Sequence, residues 1–424
     1  MHSVQSKIPI LLSLVVPLLI SGPFLPDLII SVTSIFFLYH VFKNKDFKYF
    51  KNNPLIIFFI FCFYCIICSL FADNIMFSLK SSIFYFRIGI FACVIWYMID
   101  KDKSILDFFY YSLLISFSAL SFDAGSQYLY TKIILGLPIS GENGRVSSFF
   151  GDELIMGSYL SRLFPLLFAL FIVKVKKNKF EIYYIGALFV LVDIIIFISG
   201  ERTAFFFLNL STLFIIILIK DYQKFRLITF ILGLITCLII TFNTIEIKER
   251  MLIGPLKDMG FVNTTSVPDK KYIFTESHDS LIRTAFKMFQ EKPFFGHGPK
   301  MFRIKCSDVK YKTGTDPCST HPHNFYIQLL SETGIIGFSF FFSIFCYILF
   351  CAYMQLKSIL FKNERYLTDY QVCLLAGILI TVWPFSPNGN FFNNWLAIMY
   401  SLPIGFYIQS IYAKKFKNIK IVQI

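Results

Sequence analysis

Twelve stretches of helical length dominated by apolar side chains constrain this chain more than any other feature. They lie near 8–22, 26–42, 54–71, 83–99, 105–121, 153–173, 182–199, 203–219, 227–243, 324–355, 370–386 and 392–412. A helix that crosses a bilayer takes roughly 20 such residues, so twelve account for on the order of 240. That share approaches the 56% of the chain that is hydrophobic. A mean hydropathy of +0.65 with only 16% charged residues excludes a soluble domain carrying a tail anchor. The expected class is an all-α polytopic membrane protein of about 12 transmembrane helices. Lys7 before an apolar run has the look of a signal peptide, yet no small-x-small cleavage site follows and a second window begins almost at once. The segment therefore reads as the first helix.

The net charge of +14 can suggest nucleic acid, but its placement points to membrane topology and no nucleic-acid partner is expected. One alternate set of connections holds Lys43, Lys45, Lys48 and Lys51, then Lys101 and Lys103, then Lys174, Lys176, Lys177 and Lys179. It continues with Lys220, Lys224 and Arg226, with Lys357, Lys362 and Arg365, and with Lys414, Lys415, Lys417 and Lys420 in the tail. Together with Lys7 these are 21 of the 40 Lys and Arg residues. The opposite short connections hold only Lys80, Lys132, Arg145 and Arg202. The asymmetry predicts that both termini are cytoplasmic. The piece from 244 to 322, with 13 Lys plus Arg against 9 Asp plus Glu, then lies outside, and long loops do not vote on topology. The expected organisation is helices 1–5 with an outer segment in 1–152, helices 6–9 in 153–243, a large, partly helical periplasmic loop in 244–322, and helices 10–12 in 323–424.

Eight of the ten cysteines fall in apolar windows, where a small buried hydrophobe is the plain reading. Cys62, Cys65 and Cys68 have iron–sulfur-like spacing but sit within a span and lack a fourth Cys followed by Pro. Cys306 and Cys318 share the outer loop, and an oxidising compartment would pair them.

With sidedness assigned, the chemically unusual residues gather on the outer side. His321-Pro322-His323-Asn324 runs straight into the tenth window. Pro322 fixes the approach and Asn324 can cap the helix, which holds His323 at a helix mouth. An imidazole there suits general-base work, with His321 competing for the role, although both can equally be capping side chains. His297, between Gly296 and Gly298, reads as a turn residue. Ser199-Gly200-Glu201-Arg202 joins two windows with almost no loop, so Arg202 either snorkels or offers its fork to phosphate oxygens. Ser277 to Gln290 reads as an amphipathic helix capped by Asp279 or Ser280, with Leu281, Ile282, Ala285, Phe286 and Phe289 on its apolar face. It would lie on the membrane surface or cover a cavity. Arg283 and Lys287 share its polar flank. The glycine-containing segment from Gly141 to Glu153 places Arg145 near several acids, as an acceptor channel or as a plain polar turn. Arg87 and Arg162 fall inside windows, and Arg162 with Asp193 is a candidate structural ion pair or the polar core of a transporter.

The segment His323-Asn324, nine residues, then Gly334 and Gly337 resembles the signature of the O-antigen ligase and O-antigen polymerase superfamily. Arg202 in SGERTA and Arg283 in SLIRTAF match two further positions of that family, and the likeness spans about 183–345. Upstream of about 140 only the hydrophobic pattern agrees. The resemblance implies an inverting, lipid-linked glycosyltransferase of the bacterial inner membrane with its site facing the periplasm. Its substrates would be an undecaprenyl-diphosphate-linked glycan and either lipid A-core, for a ligase, or a second lipid-linked repeat unit, for a polymerase. His323 would be the base, Arg202 and Arg283 the holders of the diphosphate, and Arg145, Arg162, His321 and Asn324 substrate-binding residues. Asp152, Glu153 and Glu201 could hold a cation, but two guanidiniums can stabilise the leaving diphosphate, so no metal or cofactor is expected. A compact HN-x9-GxxG signature favours the ligase. A transporter would call for inverted helix repeats, which the sequence does not display, and a passive scaffold gives no reason for Arg202, Arg283 and His323 to share a side.

Overall fold

A computed structural model describes residues 7–134, 145–174, 179–261, 272 and 274–415. Residues 141–144, Lys176, Lys177, Lys417 and Lys420 lie outside the described residues. The chain is all-helical, with no strand among the described residues. Its principal helices are α1 (Ile8–Ser21), α2 (Phe24–Asn44), α3 (Asn53–Leu70), α4 (Ile75–Ser82), α5 (Arg87–Lys101), α6 (Ser104–Tyr128) and α7 (Met156–Lys174). They continue with α8 (Lys179–Ile198), α9 (Arg202–Leu218), α10 (Gln223–Asn243), α11 (Glu276–Glu291), α12 (Phe325–Leu360), α13 (Asp369–Thr381) and α14 (Asn394–Lys415). Helix occurs in every one of the twelve expected windows. By length and composition, 8 helices among the described residues can cross a membrane: α2, α3, the stretch Ile75–Lys101, α6, α7, α8, α10 and α12. The chain is a multi-pass membrane protein.

At the centre stands α7. Its side chains are apolar around nearly the whole circumference, and such a helix is stable only when surrounded. Within its most apolar window 83% of the residues are buried, against 33% for α10 and 22% for α12. It packs on α13, α9, α6 and α8, while α14 lies along α5. Close approach matters here because lipid is as apolar as leucine, so helices associate through van der Waals fit. A Cβ added at Gly377 of α13 would already touch Pro165 and Pro403 at ordinary contact distance.

Three expectations are corrected. Asp193 does not pair with Arg162. Its carboxylate takes both ends of the Arg226 fork, Nη1 and Nη2 at 2.9 Å each, and Arg226 also donates to Thr212 Oγ1 at 2.8 Å. Arg226, counted among the topological charges, lies near the start of α10 and is turned fully inward against Phe164, 4.5 Å from the ring centre. The tenth window is not one helix, because Gly334 at φ 65°, ψ −169° divides α12 into a short N-terminal piece and a long apolar one. The amphipathic helix α11 is capped by Thr275, whose Oγ1 accepts from the His278 backbone, and its buried face is Leu281, Thr284, Ala285 and Met288. Phe286 is exposed, and the buried face packs on α12 and on Phe302, Cys306 and Tyr311. Cys306 and Cys318 form a disulfide within this layer.

Candidate active site

The segment ahead of α12 is fastened by a single amide. Asn324 Oδ1 accepts from the Tyr326 and Ile327 backbone N–H groups at 3.0 and 3.1 Å, which satisfies the helix start. Its Nδ2 donates to the Pro384 and Ser386 carbonyls at 2.8 and 3.2 Å, so the same side chain clamps the connection between α13 and α14. His323 is left-handed, φ 53°, a conformation that histidine tolerates better than most residues. Its carbonyl accepts from the Asn388 N–H at 2.7 Å, which holds that conformation in place.

Three imidazoles meet here. The His321 and His323 ring centres are 4.1 Å apart, and His278 from the first turn of α11 lies 5.5 Å from His323. His321 Nε2 faces the Asn388 carbonyl at 3.2 Å and must carry the proton there, leaving Nδ1 to accept from Thr320 Oγ1 at 2.9 Å. Burial lowers the His321 pKa to about 3, with the neighbouring His323 adding to the effect. Burial also lowers His323, and lowers His278 with help from His323. All three are neutral at pH 7. His323 Nε2 is 3.5 Å from Ser319 Oγ, at the limit of a hydrogen bond.

Beneath them the loop 293–302 is pressed backbone to backbone against the kink of α12. His297 N–H donates to the Ser331 carbonyl, Gly298 N–H to Glu332 and Ile335 N–H to Pro293, at 3.0, 2.8 and 2.8 Å. Glu332 Oε1 accepts from the Phe302 N–H at 3.1 Å, and Oε2 from Gln328 Nε2 at 3.0 Å. Gln328 in turn accepts from the Phe391 N–H at 2.9 Å. His297 is a turn residue, as its sequence suggests: fully buried, lowered to about 4 by that burial, with Nε2 on the Met288 carbonyl.

The arginines surround the turn between α8 and α9. Arg202 donates from Nε to the Arg250 carbonyl at 2.9 Å and pairs through Nη1 with Asp258 at 2.8 Å. Arg250 donates to the Gly200 carbonyl at 3.2 Å, and Arg145 to those of Ser199 and Leu154 at 3.1 and 3.0 Å. Glu201 accepts from the Gly157 and Ser158 N–H groups, and burial raises its pKa to about 7 despite Arg145 3.9 Å away. Arg283 sits on the exposed flank of α11, paired with Asp279 at 2.7 Å. It follows His278 by five residues, an axial rise of about 7.5 Å. Asp258, the partner of Arg202, also acts electrostatically on His278.

A cavity of 1020 Å³ adjoins these groups, lined by His321, Arg162 and Glu201, by Lys300 and Arg303, and by an apolar wall that includes Phe150, Phe392 and Trp395. His323, Arg202, Arg283, Arg145 and Asn324 are not part of its lining. The structure thus puts His321 and Arg162 on the cavity and His323 in ring contact with His321. Arg202 follows the Glu201 wall by one residue, Arg145 lies beside that wall, and Arg283 lies on an outer flank. Lys300, Arg303, Arg250 and His278 escaped the sequence reading. The first three lie in connecting segments of mixed charge without periodicity, where the one local sign, a left-handed Lys300 after Gly-Pro, is a backbone fact, and His278 opens α11, whose sequence pattern marks an apolar face and not this histidine.

Residues 185–342 match the family model described as O-antigen ligase, a span that includes Arg202, Arg283 and His323. No curated protein matches the chain. The helical bundle and this match over residues 185–342 support membership of the O-antigen ligase superfamily.

Proposed function

We propose that the chain is an inverting glycosyltransferase that moves a glycan from an undecaprenyl-diphosphate carrier to a hydroxyl of lipid A-core or a similar acceptor, at the periplasmic face of the inner membrane. The observation that carries this reading is the cluster of three neutral imidazoles at the edge of a cationic cavity. His323 accepts the proton of the acceptor hydroxyl. The oxygen attacks the anomeric carbon from the face opposite the diphosphate, the bond from that carbon to the diphosphate oxygen breaks, and configuration inverts. Arg202, already oriented by Asp258 and the Arg250 carbonyl, and Arg283 stabilise the charge that builds on the departing diphosphate, which needs no metal in this scheme. A positioned base contributes roughly 10² to 10⁴ in rate. His323→Ala should therefore lower transfer by about that factor while leaving membrane insertion intact. Arg202→Lys should also be severely impaired, because a point charge cannot replace the fork. Purified protein is given the lipid-linked glycan with either lipid A-core or a second lipid-linked unit. Extension of lipid A-core supports the ligase, extension of the lipid-linked unit makes the chain a polymerase, and full turnover by His323→Ala removes the base.

A further inference from the structure

Arg162 is the most unusual cation in the molecule. It stands two turns inside α7, the most buried of the eight candidate spans, and is 5% exposed. Its guanidinium is held between the rings of Phe207 and Tyr400, with ring centres 4.7 and 5.1 Å away, and Nη2 donates to Asn388 Oδ1 at 3.2 Å. Nε and Nη1 are buried and have no hydrogen-bond partner among the described residues. A buried N–H without an acceptor is costly, and a charged one more so. Two such groups on one side chain, in a wall of a cavity, indicate an acceptor that the protein itself does not supply.

The cavity carries further positive charge. Lys300 and Arg303 line it from a loop distant in sequence, close enough together that Arg303 adds to the burial that lowers the Lys300 pKa. Lys300 holds a left-handed backbone, φ 60°, and such strain persists where the surroundings enforce it. Two carboxylates, Glu153 and Glu201, share the lining. Glu201 is already satisfied by the Gly157 and Ser158 N–H groups, and its pKa near 7 leaves it only partly ionised, so the cations prevail. An apolar rim of Leu19, Phe149 and Leu396 borders the same space.

We propose that Arg162, Lys300 and Arg303 form a binding subsite for the phosphoryl oxygens of a diphosphate ester, separate from the Arg202 and Arg283 positions. The subsite takes the polar end of a lipid diphosphate, with the apolar rim against the chain. It rests on the functional reading above only for the lipid identity of the ligand. In this division the cavity anchors the diphosphate, and Arg202, occupied by Asp258, is left to respond as charge develops.

The test uses purified full-length protein in nanodiscs, titrated with polyprenyl diphosphate lacking a glycan and, separately, with inorganic pyrophosphate. Arg162→Gln, Lys300→Gln and Arg303→Gln should each weaken binding by roughly tenfold or more, the effect of losing one charge-assisted hydrogen bond. Lys287→Gln, an exposed cation on α11, should bind as the parent does and controls for net charge. Should Arg162→Gln fail to fold, the two loop variants still decide: parent-like binding of the lipid by both overturns the subsite. Parent protein that binds the lipid diphosphate more tightly than pyrophosphate, with all three variants impaired, supports it. Pyrophosphate binding that depends on the three cations, without any binding of the lipid, keeps the subsite and removes the lipid-linked donor.

Discussion

Gly334 should be the least replaceable residue of the signature. Its backbone, φ 65° and ψ −169°, falls where side-chain-bearing residues cost of order 1–3 kcal/mol. A Cβ built there meets the Phe294 carbonyl oxygen at 2.2 Å and its carbon at 2.3 Å, backbone atoms that no rotamer change can move. Overpacking of that kind adds about 1–3 kcal/mol, so Gly334→Ala should cost about 2–6 kcal/mol in total. The upper half of that range rivals the whole stability of many domains. Gly296, whose Cβ would lie 2.4 Å from the Glu332 carbonyl carbon, marks the other side of the same contact. Tyr64 supplies a graded comparison, because its hydroxyl bridges the Phe294 and Thr333 carbonyls at 2.9 and 2.7 Å. Tyr64→Phe removes only that bridge, worth about 1 kcal/mol. Thermal unfolding and size-exclusion profiles in detergent should rank parent, Tyr64→Phe and Gly334→Ala in falling order, with transfer activity lost in the last. An alanine variant that melts with the parent and transfers normally would refute the backbone contact.

Three other outcomes follow from the same structure. Arg226→Met strands the Asp193 carboxylate in the bundle and should cost about 3–5 kcal/mol, whereas Arg226→Met with Asp193→Leu should recover most of it, and equal melting of the two would dismiss the pair. Since folding lowers the pKa of His278, His321 and His323, the unfolded chain binds protons first. The imidazole contribution to stability should be constant above pH 6.5 and shrink as pH drops below it, toward about 3 for His321, while Glu201, raised to about 7, acts in the opposite sense and is removed from the comparison by Glu201→Gln; transfer should survive to below pH 6.5 before it declines, and an activity optimum on the acid side of these values would contradict a neutral base. Cys306→Ser with Cys318→Ser opens a loop with a sequence separation of 12 and should cost about 2–3 kcal/mol, read as a lower melting midpoint that reductant reproduces in the parent but not in the variant.

Hydrophobic periodicity carried the helices well, since length and apolar content are local properties. Side-chain partners were less legible. Arg226 sits at the edge of an apolar window, where counting charges treats any cation as topological, and nothing local reveals that Asp193 lies across from it. The division at Gly334 is hidden because a lone glycine after Ser331-Glu332-Thr333 can sit inside a helix as readily as break one, and only the approach of Phe294, forty residues earlier, imposes the break. His323 and Asn324 were readable from their place before a helix. The cationic cavity was not, because Arg162, Lys300 and Arg303 come from a bundle core and a loop that sequence distance keeps apart.

The indole of Trp395 donates to the Leu19 carbonyl at 2.8 Å, stitching α1 to α14 beside the cavity. Residues 19–23, 389–390 and 392–396 therefore form walls of one chamber. During synthesis that chamber stays open until α14 has left the ribosome and docked. A nascent chain halted before that point would hold Arg162 without an enclosure on that side, so the cavity is complete only with α14 in place.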